Sequence, residues 1–233
     1  MNLFENAPIK GPRVFGIGFN KTGTTTLGKC FDLLGIGPVA RPQALHDLYY
    51  GNSRDALPRA DAPLAEQRRA FFESYPYRAI CREFFDYGNL GLALHAASAF
   101  RAFHDRPWNV GRVYEVLDIL YPGSRFILTS RDSETWWRSV DQWLNVRHPD
   151  DPEKRYRYLR HLEVATLEKS SCIDAYEAHN ERIRCYFSSR TGDFLELRME
   201  SDFRWEPLCE FLEFPVPALA FPFENKQDNS TPP

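Results

Sequence analysis

Val14-Phe15-Gly16-Ile17-Gly18-Phe19 is a short apolar, β-favouring run, and Asn20-Lys21-Thr22-Gly23-Thr24-Thr25-Thr26 follows it directly. Pro12 precedes the run and a polar glycine turn ends it, so Val14–Phe19 reads as a buried strand. Beyond the turn, Leu27, Cys30, Phe31 and Leu34 recur at helical spacing within Thr22–Leu34, and Gly35, Gly37 and Pro38 stop the helix. A loop that opens a helix is suited to anions, because free N–H groups point outward there and the helix dipole favours negative charge. Gly23 lets the backbone approach an anion closely. Thr24, Thr25 and Thr26 add hydroxyl donors, and Lys21 adds a point positive charge. The bland alternative is a threonine-capped helix in which Lys21 and Gly23 occur by chance. The loop is not a Walker A motif, which places lysine directly after the last glycine. Here Thr24 follows Gly23 and Lys21 lies before it, which disfavours a nucleotide hydrolase built on that motif.

The same alternation of elements continues along the chain. Phe126–Ser130 reads as a second clear strand, with a helix over Glu134–Leu144 after it. Phe194–Met199 alternates as a strand, and Arg204–Leu212 forms the last helix. The spacing also predicts a short strand at Phe100–Phe103 and helices over Asn109–Tyr121, Glu153–Lys169 and Cys172–Ser188, with a polar break over 145–153. In the middle, Arg41–Tyr50 and Leu64–Phe72 read as short helices, Gly51–Pro63 as loop and Cys81–Ala99 as mostly helical. Strands alternating with helices imply an α/β domain with a largely parallel sheet. Ligands of such sheets bind beyond the carboxyl ends of the strands. That directs attention to the turns after Phe19, Phe103 and Ser130.

At 233 residues the chain can bury a core without staples. We expect one domain over 1–224, with a helical lid or insert at about 145–190, and a flexible tail over 225–233. With 43% apolar and 26% charged residues, wholesale disorder is disfavoured. A net charge of −3 argues against a broad nucleic-acid surface, though not against a local basic pocket. No apolar run is long enough to span a membrane, and Met1–Pro12 does not read as a signal peptide. Cysteines at 30, 81, 172, 185 and 209 include no C-x-x-C pair, so neither a disulfide framework nor a zinc site is suggested. They read as buried, inert thiols of a cytoplasmic protein.

Arg131 sits at the carboxyl end of the Phe126–Ser130 strand, and Ser139 follows eight residues later, about two helical turns on. Arginine offers a planar fork to phosphate oxygens and serine one more donor. Alone, the Arg131-Asp132 pair is as readily a local salt bridge or a helix cap.

With both anchors in place, the chain resembles the sulfotransferases that use 3′-phosphoadenosine 5′-phosphosulfate. Their phosphosulfate loop has the form Pro-Lys-Ser-Gly-Thr-Thr, matched here by Asn20-Lys21-Thr22-Gly23-Thr24-Thr25. The resemblance implies a P-loop-like three-layer fold and no metal. It also implies that Asn20, Lys21, Thr22, Gly23, Thr24, Thr25 and Thr26 hold the 5′-phosphosulfate. Arg131 and Ser139, spaced as in that family, would hold the 3′-phosphate, which stays on the product adenosine 3′,5′-bisphosphate. Trp205–Leu212, Phe214-Pro215, Pro217 and Phe221-Pro222 resemble the terminal helix and arm of the bacterial branch, with Asn225 closing the pattern. Two features of the cytosolic enzymes are missing. Thr26 stands where they carry an adenine-stacking Trp, and their C-terminal Arg-Lys-Gly loop has no counterpart. Arg13 or a basic residue between Arg147 and His161 could supply the missing 3′-phosphate contact.

Sulfuryl transfer also needs a base for the acceptor's proton. His104-Asp105-Arg106-Pro107 lies between the anchors, and cytosolic relatives carry a catalytic His two residues before a Pro. Asp105 holds that offset and is the leading candidate, with His104 second; the plain reading is that Asp105 caps a helix starting near Pro107. Arg147, His148, Lys154, Arg155, Arg157, Arg160 and His161 form either a lid over an anion or, more simply, a solvated helix face. His179 reads first as a satisfied helix residue. Sequence alone does not divide Trp136, Trp137 and Trp143 between core and pocket. The leading function is thus sulfuryl transfer to a small-molecule hydroxyl or amine. The alternatives are a P-loop kinase or hydrolase with an altered loop, using Asp132 as its metal-binding acid, and a nucleotide-binding protein without activity.

Overall fold

Each strand is short enough to be set by a few apolar residues, and together they build one parallel sheet. The computed structural model describes residues 11–40, 91, 94 and 97–223. The elements expected within 41–90 lie outside the described residues, as do Cys81 and the tail. Five strands are described: β1 (Val14–Gly16), β2 (Val39–Ala40), β3 (Ala102–Phe103), β4 (Arg125–Ser130) and β5 (Phe194–Arg198), in the order β2-β3-β1-β4-β5. All four pairings are parallel; Phe15 lies opposite Phe103 on one side and Phe126 on the other. The α/β class expected from the sequence is therefore the one observed.

Side-chain alternation divides the two faces. Phe15, Ile17, Phe103, Phe126 and Leu128 face one core, closed by α2 (Val113–Leu120) and the last turns of α5 (Lys169–Phe187) through Ile183 and Phe187. Ala102, Ile127 and Leu197 face the other, closed by α1 (Thr24–Leu33) and α6 (Trp205–Leu212) through Leu27, Phe31, Trp205 and Leu208. Three layers result. Phe15 stacks between Phe103 at 4.7 Å and Phe126 at 5.3 Å. Each such ring contributes about 1.5–3 kcal/mol by leaving water.

A third apolar cluster sits over the carboxyl edge of the sheet. It joins α3 (Ser133–Asp141), a π-helical turn (Gln142–Arg147), α4 (Pro152–Leu162) and the start of α5, with Phe19, Trp136, Val140, Leu144, Tyr158, Leu162 and Tyr176 at its centre. Several boundaries differ from expectation. The helix after β4 runs through the expected break at 145, because the π-helical turn keeps Leu144 buried. α4 stops at Glu163, which takes a left-handed φ of 58°, rather than running to Lys169. β2, two residues long, was not anticipated. Cys185 is exposed on α5, against the expectation of buried thiols, while Cys30, Cys172 and Cys209 are buried. Residues 183 and 187, one helical turn apart, are both buried, so residue 185, about half a turn from each, faces outward.

Candidate active site

The loop after β1 is held from several sides before any ligand is considered. Thr22, fully buried, donates its hydroxyl to the Phe19 carbonyl and lies 2.7 Å from the Thr129 hydroxyl of β4. Trp136 of α3 donates its indole N–H to the Asn20 carbonyl at 3.0 Å, and Asn109 donates to the Gly18 carbonyl at 2.8 Å. Phe19 turns into the third cluster, stacked on His179 at 4.0 Å and against His161 at 4.7 Å. His179 meets the Ile17 carbonyl at 3.3 Å and is a satisfied core residue, with burial lowering its pKa to about 4. His161 is buried too, which corrects the solvated-face reading for that residue. The side chain of Arg157 lies outside the described residues.

Gly23 is the N-cap of α1 with φ 91°, and no side chain caps the helix. A Cβ at this position would stand 2.4 Å from the Phe203 ring, so both the backbone angle and the space require glycine. The first N–H groups of α1 consequently open onto the loop. Thr24 and Thr26 are buried beneath them and Thr25 is exposed.

Lys21, also left-handed at φ 72°, carries its Nζ over the Trp143 ring, 4.8 Å from the centroid. Burial, and then the charge of Arg147, bring its pKa down to about 8; Asp105 opposes this and Arg106 adds to it. Asp105 stands at φ 66° in the turn after β3, and its Oδ1 accepts from the Asn20 amide at 2.5 Å and the Arg106 N–H at 2.9 Å. The plain reading of Asp105 as a helix cap is not what is observed, since α2 begins only at Val113 with Arg112 as its cap. His104 points the other way, its ring packed where a Cβ on Gly28 of α1 would sit, 2.4 Å from Nε2. Asn20 and Asp105 are therefore brought together beside the loop that carries Lys21, and His104 is turned toward α1.

Arg131 leaves the end of β4 with its backbone clasped by the Tyr176 hydroxyl, which accepts from the Arg131 N–H at 2.8 Å and donates to its carbonyl at 2.9 Å. Its guanidinium lies 3.8 Å from Glu200 and lines a groove of about 600 Å³ with Ser133, Asn180, Glu181 and Arg184. Ser139 lies on α3, partly exposed. Asp132 caps α3, accepting from the Thr135 N–H at 2.9 Å and hydroxyl at 2.8 Å; the Thr135 backbone bond is the main reason its pKa is lowered. That occupation weakens the reading of Asp132 as a metal-binding acid. Arg13 lies at the amino end of β1, over the Tyr121 ring at 4.4 Å, and so on the edge opposite the loop.

Sequence reasoning missed two contacts of the site. Trp143 holds its ring 4.8 Å from Lys21 Nζ, and Asn20 acts on Asp105 rather than only lining the loop. Nothing in local spacing signals either contact, because both join segments far apart in the chain. Trp136 and Trp143 are now divided, the first into the core and the second onto the site.

Among the described residues no helix is long and apolar enough to cross a membrane, and no group of three or more His, Cys, Asp or Glu side chains could hold a metal ion. Among curated proteins none matches the chain. The crystal structure of a sulfotransferase from Mycobacterium avium aligns with a TM-score of 0.43 and 17% identity, covering 91% of this chain. The chain spans 66% of that protein's length. The family model described as the sulfotransferase domain matches residues 13–230. The chain belongs to the sulfotransferase domain family.

Proposed function

We propose that the protein transfers a sulfuryl group from 3′-phosphoadenosine 5′-phosphosulfate to a hydroxyl or amine of a small-molecule acceptor, in the cytoplasm and without a metal. The observation that supports this most is the hydrogen bond from Asn20 to Asp105, which ties the loop carrying Lys21, after β1, to the carboxyl end of the adjacent parallel strand β3. A phosphate group fits the residues present. α1 opens without a side-chain cap, Gly23 supplies the left-handed turn that starts it, and Lys21 supplies the charge.

When bound, the donor would supply an activated sulfuryl group on a phosphate leaving group. The α1 N–H groups, Lys21 and the loop threonines, by backbone or hydroxyl, hold the 5′ end. Lys21 also neutralises charge that grows on the leaving oxygen. Arg131 and Ser139 hold the 3′-phosphate. Asp105 takes the acceptor's proton, and the orientation of His104 toward Gly28 favours Asp105 over it. The test is transfer of labelled sulfate from the donor across a panel of phenols, alcohols and amines. Turnover lost in Asp105→Asn, with bisphosphate affinity kept, supports the assignment. Full turnover in that variant would remove Asp105 as base, and donor binding without transfer to any acceptor would favour a non-catalytic role.

A further inference from the structure

Lys21 is held from a direction that neither its loop nor the sheet supplies. Its Nζ lies 4.8 Å from the centroid of the Trp143 ring, within the range at which an indole face attracts a cation. Trp143 belongs to the π-helical turn Gln142–Arg147, where the helix after β4 widens. Such turns inserted in α-helices recur at functional sites. Leu144, buried in the third cluster, anchors the turn. Trp143 itself is braced edge-on by His148 at 4.9 Å and by the tilted ring of Tyr158 at 5.4 Å.

We propose that Trp143 is a positioning residue for Lys21, and that the turn Gln142–Arg147 forms a wall of the anion site. The proposal rests on the donor site described above. The charged groups around Lys21 are Arg147 on the turn and Asp105 and Arg106 at the end of β3, with the titratable His148 just after the turn held neutral by burial. An ammonium placed between two arginines needs a favourable surface beyond Asp105, and the indole face is one. Holding the side chain there also orders a flexible four-carbon stem before the anion arrives.

The experiment is calorimetric titration of adenosine 3′,5′-bisphosphate into wild type, Trp143→Leu, Trp143→Phe and Arg147→Gln, from about pH 6.5 to about pH 9.5, around the Lys21 transition. Trp143→Leu should weaken binding by about threefold to tenfold, and Trp143→Phe by less. With the indole gone, the loss of affinity at rising pH should begin at lower pH. Arg147→Gln should move that midpoint upward, because a repelling charge has left. A purely structural Trp143 would lower affinity equally at every pH. Wild-type affinity and midpoint in both Trp143→Leu and Arg147→Gln would overturn the proposal, as would equal damage from Phe and Leu. Trp143→Phe, which keeps an aromatic ring in the same packing, carries the test at this position where Trp143→Leu melts early. A wild-type protein that ignores the bisphosphate overturns the donor site and this wall with it. Unchanged variants of a protein that binds overturn the wall alone.

Discussion

Replacing Gly23 by alanine would set a methyl group 2.4 Å from the Phe203 ring while holding φ at 91°. Two separable costs follow. A non-glycine residue in the left-handed region costs about 1–2 kcal/mol. Forcing a methyl group into a filled site costs about 1–3 kcal/mol more. The expected total is about 2–5 kcal/mol, a large share of the stability of an ordinary domain. Gly35 is the internal control, because its φ is 71° and nothing lies within 4 Å of an added Cβ. Gly35→Ala should therefore cost only the backbone part, about 1–2 kcal/mol. Urea unfolding of both variants, read as midpoint shifts at constant slope, measures the difference. A double-mutant cycle of Gly23→Ala with Phe203→Leu should return a coupling of about 1–3 kcal/mol, since the smaller side chain makes room. Affinity for adenosine 3′,5′-bisphosphate should fall in Gly23→Ala and stay intact in Gly35→Ala. Equal costs for the two glycines, or no coupling to Phe203, would refute the claim that this contact shapes the loop.

Four further outcomes are expected. Arg131→Ala combined with Ser139→Ala should weaken adenosine 3′,5′-bisphosphate by about tenfold or more and adenosine 5′-monophosphate far less, measured by calorimetry; equal losses would contradict the 3′-phosphate role. Lys21, lowered to about 8 by burial first and Arg147 second, should lose its proton as pH rises through that value, so bisphosphate affinity should fall there, while Lys21→Arg should stay flat. The unfolded chain keeps that proton to about 10.5, so Lys21 lowers stability below about pH 8, and urea midpoints should recover between about 8 and 10.5. Mass mapping after brief treatment with a thiol reagent should find Cys185 modified before Cys30, Cys172 and Cys209, although Glu181 raises its pKa; labelling of Cys30 first would contradict the packing of α1.

The parts of this protein that were legible in its sequence are those fixed by contacts close along the chain. β1, its loop and α1 follow from one apolar run, one glycine and one helical stripe, and β4 and α6 are equally local. What stayed hidden depends on distant packing. β2 is two residues long and carries no period of its own. Glu163 ends α4 in a left-handed conformation that no glycine advertised. The π-helical turn follows from burying Leu144 against α4 and α5, and only that turn brings Trp143 to Lys21. His104 and Asp105 are neighbours in sequence, yet the left-handed backbone at Asp105 sends one toward α1 and the other toward Asn20. Local pattern could nominate both but not choose. Arg13 illustrates the converse, since its place before β1 commits it to the opposite edge of a parallel sheet.

The central claim is that the loop after β1 is a phosphosulfate site. It is tested most directly by titrating the purified protein with adenosine 3′,5′-bisphosphate, with ATP and magnesium run in parallel. Binding of the bisphosphate in the micromolar range or tighter, with ATP ignored, is the predicted result. Binding of magnesium–ATP with the bisphosphate ignored would contradict it.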